Sequence, residues 1–151
     1  VGKIKIGTIM ETKKRFKVGY TTGTFDLFHV GHLNILEKAK ENCEYLIVGV
    51  STDELVKEYK GESPVISFED RIRIIRALKC VDKAIPQQTM NKLDVLEDIQ
   101  YDVLFHGDDW KNTEMYNEIE EKLAEKNISC VYFPYTKSIS TQSIKEKVKQ
   151  G

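Results

Sequence analysis

The sequence predicts a single α/β domain built on a parallel sheet with helices on both faces. Three observations carry that expectation. Tyr45 to Val50 (YLIVGV) is a continuous apolar run of strand length, as a strand covered on both faces requires. Segments with apolar residues at helical spacing alternate with short apolar runs along the chain. At 151 residues, 40% hydrophobic and 31% charged, the chain is long enough for one core and ordinary in composition for a globule.

The elements follow in order. Phe16 to Thr22 (FKVGYTT) reads as a strand entering a turn, and Gly31 to Lys40 as a helix with Leu33, Leu36 and Ala39 at helical spacing. After the strand at Tyr45–Val50, Thr52-Asp53-Glu54 has a cap residue and acids where a helix start favours them. Lys60 to Ser67 is a loop broken by Gly61 and Pro64, followed by a helix over Phe68 to Leu78. Val81 to Ile85 reads as a short strand closed by Pro86 and Leu93 to Ile99 as a helix. Next come a strand over Val103 to Phe105 and an amphipathic helix over Thr113 to Glu125. Ile128 to Phe133 is the last strand; a loop (YTKSIST) and a helix through Val148 end the pattern. The order β-α-β-α-α-β-α-β-α-β-α describes a Rossmann-like, doubly wound parallel sheet in residues 16–151. Residues 1–15 stand outside it, as an N-terminal arm or an added edge strand.

Bulk properties set limits on function. A formal net charge of −1 gives no field to draw the chain to nucleic acid or an anionic membrane. No run of ~18 apolar residues is present, and the opening VGKIKIGTIMETKKR lacks a signal-peptide pattern. Cys43, Cys80 and Cys130 are odd in number and far apart, which fits reduced thiols in a cytoplasmic protein rather than a disulfide framework or zinc site.

In an open parallel sheet, ligands bind beyond the carboxyl ends of the strands. Three loops after strands carry unusual polar content: GTFDLFHVGH (Gly23 to His32), HGDDW (His106 to Trp110) and YTKSISTQ (Tyr135 to Gln142). Zinc wants histidines at i and i+4 on a helix, whereas His29 and His32 stand at i and i+3. No GxSxG nucleophile elbow exists. An anion site fits better: Gly31 lies at the start of a helix after the first strand, where N–H groups point outward and no side chain blocks approach. Two imidazoles beside a phosphate donate hydrogen bonds that strengthen as charge grows in a transition state.

These residues carry a resemblance. HVGH in GTFDLFHVGH is similar to the HxGH element of the nucleotidyltransferase superfamily, and YTKSIST to its second, ISTT-type loop. STDEL (Ser51 to Leu55), YKG (Tyr59 to Gly61), FEDR (Phe68 to Arg71), VDKAIP (Val81 to Pro86) and GDDW (Gly107 to Trp110) place the chain nearest the cytidylyltransferase branch, of the glycerol-3-phosphate type. The resemblance runs from about Lys17 to Lys147 and implies CTP as nucleotide, a small phospho-alcohol as acceptor, Mg²⁺ with the nucleotide and a homodimer.

The resemblance also implies roles. His29 and His32 contact the nucleotide phosphates and the transition state. Lys60 meets the α-phosphate, with Lys57 a second candidate, and Arg71 lies near the reacting phosphates. Thr24 and Phe25 line the nucleotide with main-chain groups, Asp26 supports the turn, and Asp108 lies close to cytosine and ribose. Gly31 opens the helix; Thr136, Ile139, Ser140 and Thr141 form the second phosphate loop. Lys92 contacts the acceptor phosphate. The resemblance gives His106 no role; following a strand, it is either a residue bordering the site or a hydrogen-bonded wall residue. The chain departs from the pattern at Tyr135, where the family has arginine, at Ser138 for glycine, at Gln142 for threonine, and at about Met90 for tryptophan. Lys137 is the nearby cation that substitutes for the arginine, as a point charge only. The same residues leave open an ATP-dependent adenylyltransferase and a nucleotide-binding paralogue without turnover.

Overall fold

The computed structural model describes residues 3–6, 9–12, 14–136 and 139–151, the first two stretches as backbone alone. β1 (Lys3–Ile6) and β2 (Ile9–Thr12) pair antiparallel, with Lys3 opposite Thr12. They form a two-stranded ribbon separate from the main sheet.

The main sheet has five parallel strands in the order β5-β4-β3-β6-β7. β3 (Phe16–Gly23) is central, flanked by β4 (Cys43–Ser51) and β6 (Val103–Gly107). β5 (Lys83–Gln87) and β7 (Ser129–Phe133) are the edges. The chain winds outward from β3 to β5, then crosses back to start again at β6. That reversal puts a topological switch point between β3 and β6, where the loops leaving the two strands part and open a crevice.

The period-two alternation of strands divides the core in two. Leu46, Val48 and Val50 of β4 pack with Leu36 and Ala39 of α1 (Val30–Asn42) and with Ile72 and Ile75 of α3 (Phe68–Arg76). On the other face Ile47, Tyr20 and Leu104 meet Tyr116, Ile119 and Leu123 of α4 (Glu114–Ala124). This is the doubly wound α/β arrangement expected from the sequence. α2 (Asp53–Lys60) and α5 (Thr141–Gln150) stand over the carboxyl edge of the sheet, close to the crevice their residues line.

Two elements differ from expectation. β5 does not stop before Pro86 but runs through it, with Pro86 opposite Val50. β5 is an edge strand, and an edge tolerates a residue without an N–H to donate. The expected helix over Leu93–Ile99 is one 3₁₀ turn, Asp94–Glu97. Local side-chain bonds compete with helix there: Asn91 Oδ1 accepts from Leu93 N at 3.0 Å, and Thr89 Oγ1 donates to Asp94 at 2.9 Å. The spacing of Leu93, Leu96 and Ile99 is met equally by a tight turn packing its apolar side on the α4 face.

Candidate active site

The loop after β3 is held in an unusual conformation. Phe25 and Leu27 both have positive φ, 56° and 50°, a region that non-glycine residues enter only when their surroundings enforce it. Here the surroundings do. The Asp26 carboxylate accepts from Val65 N at 2.8 Å and Ile66 N at 2.9 Å, and the Asp26 carbonyl accepts from Thr141 Oγ1 at 2.9 Å. Thr24 O accepts from Arg71 at 2.7 Å. The loop is thereby tied to the segment after α2, to the start of α5 and to α3.

His29 and His32 open α1 as a reciprocal pair. His29 is the N-cap: its Nδ1 accepts from Gly31 N at 3.0 Å, while His29 N donates to His32 Nδ1 at 3.2 Å. An Nδ1 that accepts leaves the single ring proton of the neutral form on Nε2, so each ring is fixed as an Nε2–H donor. The rings stack at 3.8 Å. Phe25 and Phe28 enclose His32 at 5.5 and 5.4 Å between ring centres. Burial pulls the His32 pKa down to about 3, helped by His29 and Lys60 and opposed by Asp26. Burial lowers His29 as well. Both rings are neutral at physiological pH.

A crevice of about 330 Å³ opens at the switch point. Thr24, Phe25, Asp26, His32 and Lys60 line one side, joined by Thr141 and Lys145 of α5. Gln87, Met90, Lys92 and His106 line another. Tyr135, Asp109 and Trp110 complete the wall on the β6–β7 side. His29, stacked on His32, is not part of the lining.

Several expected site residues take other positions. Arg71 is buried away from the crevice. Its guanidinium donates to the carbonyls of Ile66, Thr24 and Ser51 at 2.7–2.9 Å and pairs with Asp53 at 2.6 Å, so it anchors loops rather than meeting a phosphate. Lys57 is exposed and does not line the crevice, although it lies one turn before Lys60, which does. Asp109, not Asp108, lines the crevice: the 3₁₀ turn Asp108–Trp110 rotates the first aspartate outward. Gly31 does not leave room for a ligand, because a Cβ there would lie 2.8 Å from the His29 ring. The missing side chain seats the capping histidine instead. Thr136 Oγ1 accepts from Asn34 Nδ2 at 2.9 Å in a groove beside α1. Ile139 stands 3.5 Å from that same Gly31 position, bringing the α5 N-terminus beside that of α1. Ser140 caps α5, with Oγ accepting from Ser143 N at 3.0 Å. Lys137 and Ser138 lie outside the described residues.

Tyr59, Gln87 and Tyr135 are crevice residues to which the sequence reading gave no ligand role. Tyr59 and Thr24 share a hydroxyl hydrogen bond of 2.8 Å. Gln87 had a legible signal, a polar residue at the carboxyl end of a strand. Tyr135 lies over Gly107, where a Cβ would run into its ring; burial and the nearby Asp109 charge raise its phenol pKa. Among the described residues no group of three or more His, Cys, Asp or Glu side chains could hold a metal ion.

A doubly wound sheet whose switch-point crevice joins two helix N-termini with fixed imidazole donors defines a phosphate-handling α/β domain. The family model described as Cytidylyltransferase-like matches residues 20–147, and the chain belongs to that family, which makes it a nucleotidyltransferase. It is 37% identical to the glycerol-3-phosphate cytidylyltransferase of Bacillus subtilis strain 168, over 85% of this chain and 94% of that protein. It is 33% identical to the bifunctional protein HldE of Helicobacter pylori strain P12, over 94% of this chain but only 30% of that much longer protein. Among solved structures, a lipopolysaccharide core biosynthesis protein from Thermoplasma volcanium superposes with a TM-score of 0.68 at 26% identity, over 80% of this chain and 99% of that one.

Proposed function

We propose that the chain transfers CMP from CTP to a small phosphorylated alcohol, with glycerol 3-phosphate the first acceptor to test. One observation carries the reading: the stacked, neutral imidazoles of His29 and His32 sit at the α1 N-terminus, beside the α5 N-terminus, at the switch point. Neutral Nε2–H donors suit a polyanion, because they keep one protonation state while phosphate charge redistributes.

In the reaction an acceptor phosphate oxygen attacks the α-phosphorus of CTP in line. The bond from that phosphorus to the oxygen bridging to the β-phosphate breaks, and pyrophosphate leaves with the electron pair. No covalent enzyme intermediate is required; orientation and charge stabilisation do the work. His32 donates to the α-phosphate at the crevice wall and His29 to the adjoining phosphates. Lys60 closes on the α-phosphate from the end of α2. Ser140, Thr141 and the free N–H groups of α5 hold the β- and γ-phosphates. The main chain at Thr24 and Phe25, with Asp109 and Tyr135, receives the nucleoside. Arg71 and Asp26 position the loop that carries these groups.

Mg²⁺ accompanies the triphosphate. It suits this donor set, since Mg²⁺ keeps several waters and binds mainly through substrate phosphates, needing no protein cage. A cytoplasmic homodimer completes the reading, checked by light scattering on the purified protein.

The test is pyrophosphate release with Mg²⁺, crossing CTP and ATP with glycerol 3-phosphate, phosphocholine and phosphoethanolamine. Turnover with CTP and a phospho-alcohol is the expected result. Preference for ATP would replace it with the adenylyl reading. CTP binding without turnover across the panel would favour the non-catalytic one.

A further inference from the structure

Among the described residues one buried polar side-chain atom lacks a hydrogen-bond partner: the hydroxyl oxygen of Tyr116 in α4, a residue only 1% exposed. Its ring is packed against His106 and Trp110, each at 5.2 Å, and against Tyr132 at 6.3 Å. Tyr132 does not serve it, since its own Oη donates to Glu120 at 2.8 Å. A buried hydroxyl left unpaired costs free energy that a phenylalanine at the same place would not. The groups whose charges reach the Tyr116 hydroxyl include Tyr135 and Asp109, and both line the crevice. The unpaired hydroxyl therefore lies just behind the crevice wall.

Tyr135 is the part of that wall in front of it. Its ring lies over Gly107, and its hydroxyl end is near the Asp109 carboxylate. Gly107 has φ −70° and ψ 153°, which any residue adopts, so its missing side chain serves space and not the backbone. That space holds one flat six-membered ring. Tyr135 is 42% exposed, so little burial is lost when it moves. It also lines the groove of about 310 Å³ beside α1, which gives the ring somewhere to turn.

A pyrimidine base is also a flat six-membered ring with polar groups on its edge. We propose that the phenol of Tyr135 fills a nucleobase slot and changes places with a pyrimidine: Tyr135 turns into the α1 groove, the base lies on Gly107, and its polar edge pairs with the Tyr116 hydroxyl. A hydroxyl donates to a ring nitrogen or carbonyl and accepts from an amino group, so it suits such an edge. Tyr116 is then a base-contacting residue, and Tyr135 lowers the apparent affinity by the fraction of time it holds the slot. This inference rests on the nucleotidyl-transfer reading and gives the nucleoside its place.

Calorimetry with cytidine, which carries no phosphate, isolates the slot. Tyr135→Ala is expected to bind cytidine about 10-fold more tightly than the wild type, because nothing has to leave. Tyr116→Phe is expected to bind it about 5-fold more weakly, yet to melt no lower than the wild type, since it removes the unpaired hydroxyl. Pyrophosphate with Mg²⁺, a probe of the phosphate end alone, should bind all three proteins equally. Thermal melting confirms that both variants fold. Weaker cytidine binding by Tyr135→Ala would make Tyr135 a direct contact and overturn the exchange. Unchanged cytidine binding by Tyr116→Phe would overturn it as well, and no cytidine binding to Tyr135→Ala would remove the slot altogether. The catalytic reading fails separately: if cytidine behaves as expected while no acceptor releases pyrophosphate from CTP, the slot stands and the transfer does not.

Discussion

At the scale of the residue, His29 does two jobs that substitution can separate. Its Nδ1 caps α1, while in the proposed reaction its Nε2–H donates to phosphate. Asparagine caps helices well and alanine does not. His29→Asn is expected to hold the thermal midpoint near wild type, while His29→Ala loses about 1 kcal/mol. Both should lower kcat by on the order of 10²-fold, as loss of a transition-state donor does. Turnover near wild type in His29→Asn would remove the imidazole from the mechanism. His32 also predicts a pH dependence. Its folded pKa of about 3 is far below the unfolded 6.5. Below pH 6.5 the unfolded chain takes a proton that the folded chain refuses, so stability is full above 6.5 and declines as pH falls towards 3. His106, lowered for the same reason, adds in the same direction. Urea midpoints between pH 7 and pH 4 should fall, and His32→Phe should flatten part of the slope.

At the scale of the element, the site depends on how loops are pinned to helices. Arg71 sits in the first turn and a half of α3, buried, and ties the ends of β3 and β4 to the segment after α2 through Thr24, Ser51 and Ile66. Asp53 is 37% exposed and stays solvated without its partner, so the cost of removing Arg71 comes from its charge-assisted hydrogen bonds to buried carbonyls, together about 3–5 kcal/mol. Arg71→Met should show a loss of that size in urea denaturation, with Asp53 left half-paired. A loss below about 1 kcal/mol would mean the network is not holding the loops. The FEDR run was legible as a helix start with an important arginine. Its role was not, because sequence shows which residue types are available but not which way a guanidinium turns. Asp108 and Asp109 teach the same lesson: adjacent aspartates look equivalent in sequence, and a single 3₁₀ turn decides which of them faces the crevice. Gly31 was read as space for a ligand, and packing gave that space to the cap.

At the scale of the molecule, nucleotide binding to the folded state should raise its stability by mass action. CTP with Mg²⁺ at 100 times its Kd is expected to add about 2.7 kcal/mol, and ATP at the same concentration less. Thermal melts with each nucleotide read this directly, and an equal shift with both would count against a cytosine-selective site.

The sequence by itself determined the alternating pattern, the parallel sheet and its two covered faces, because period-two and period-3.6 burial are local properties of the chain. It also determined the three polar loops that surround the crevice, because polar content after a strand needs no tertiary information to notice. Only the tertiary structure decided which members of those loops meet. It turned Arg71 inward to carbonyls, Lys57 outward to solvent and Asp109 inward in place of Asp108. It also buried Lys92, from the loop after β5, beside His106 near the end of β6. The physical reason is the same throughout: a side chain's direction and partners are set by packing between distant segments, and that packing is specified by the whole core rather than by any stretch of residues that can be read alone.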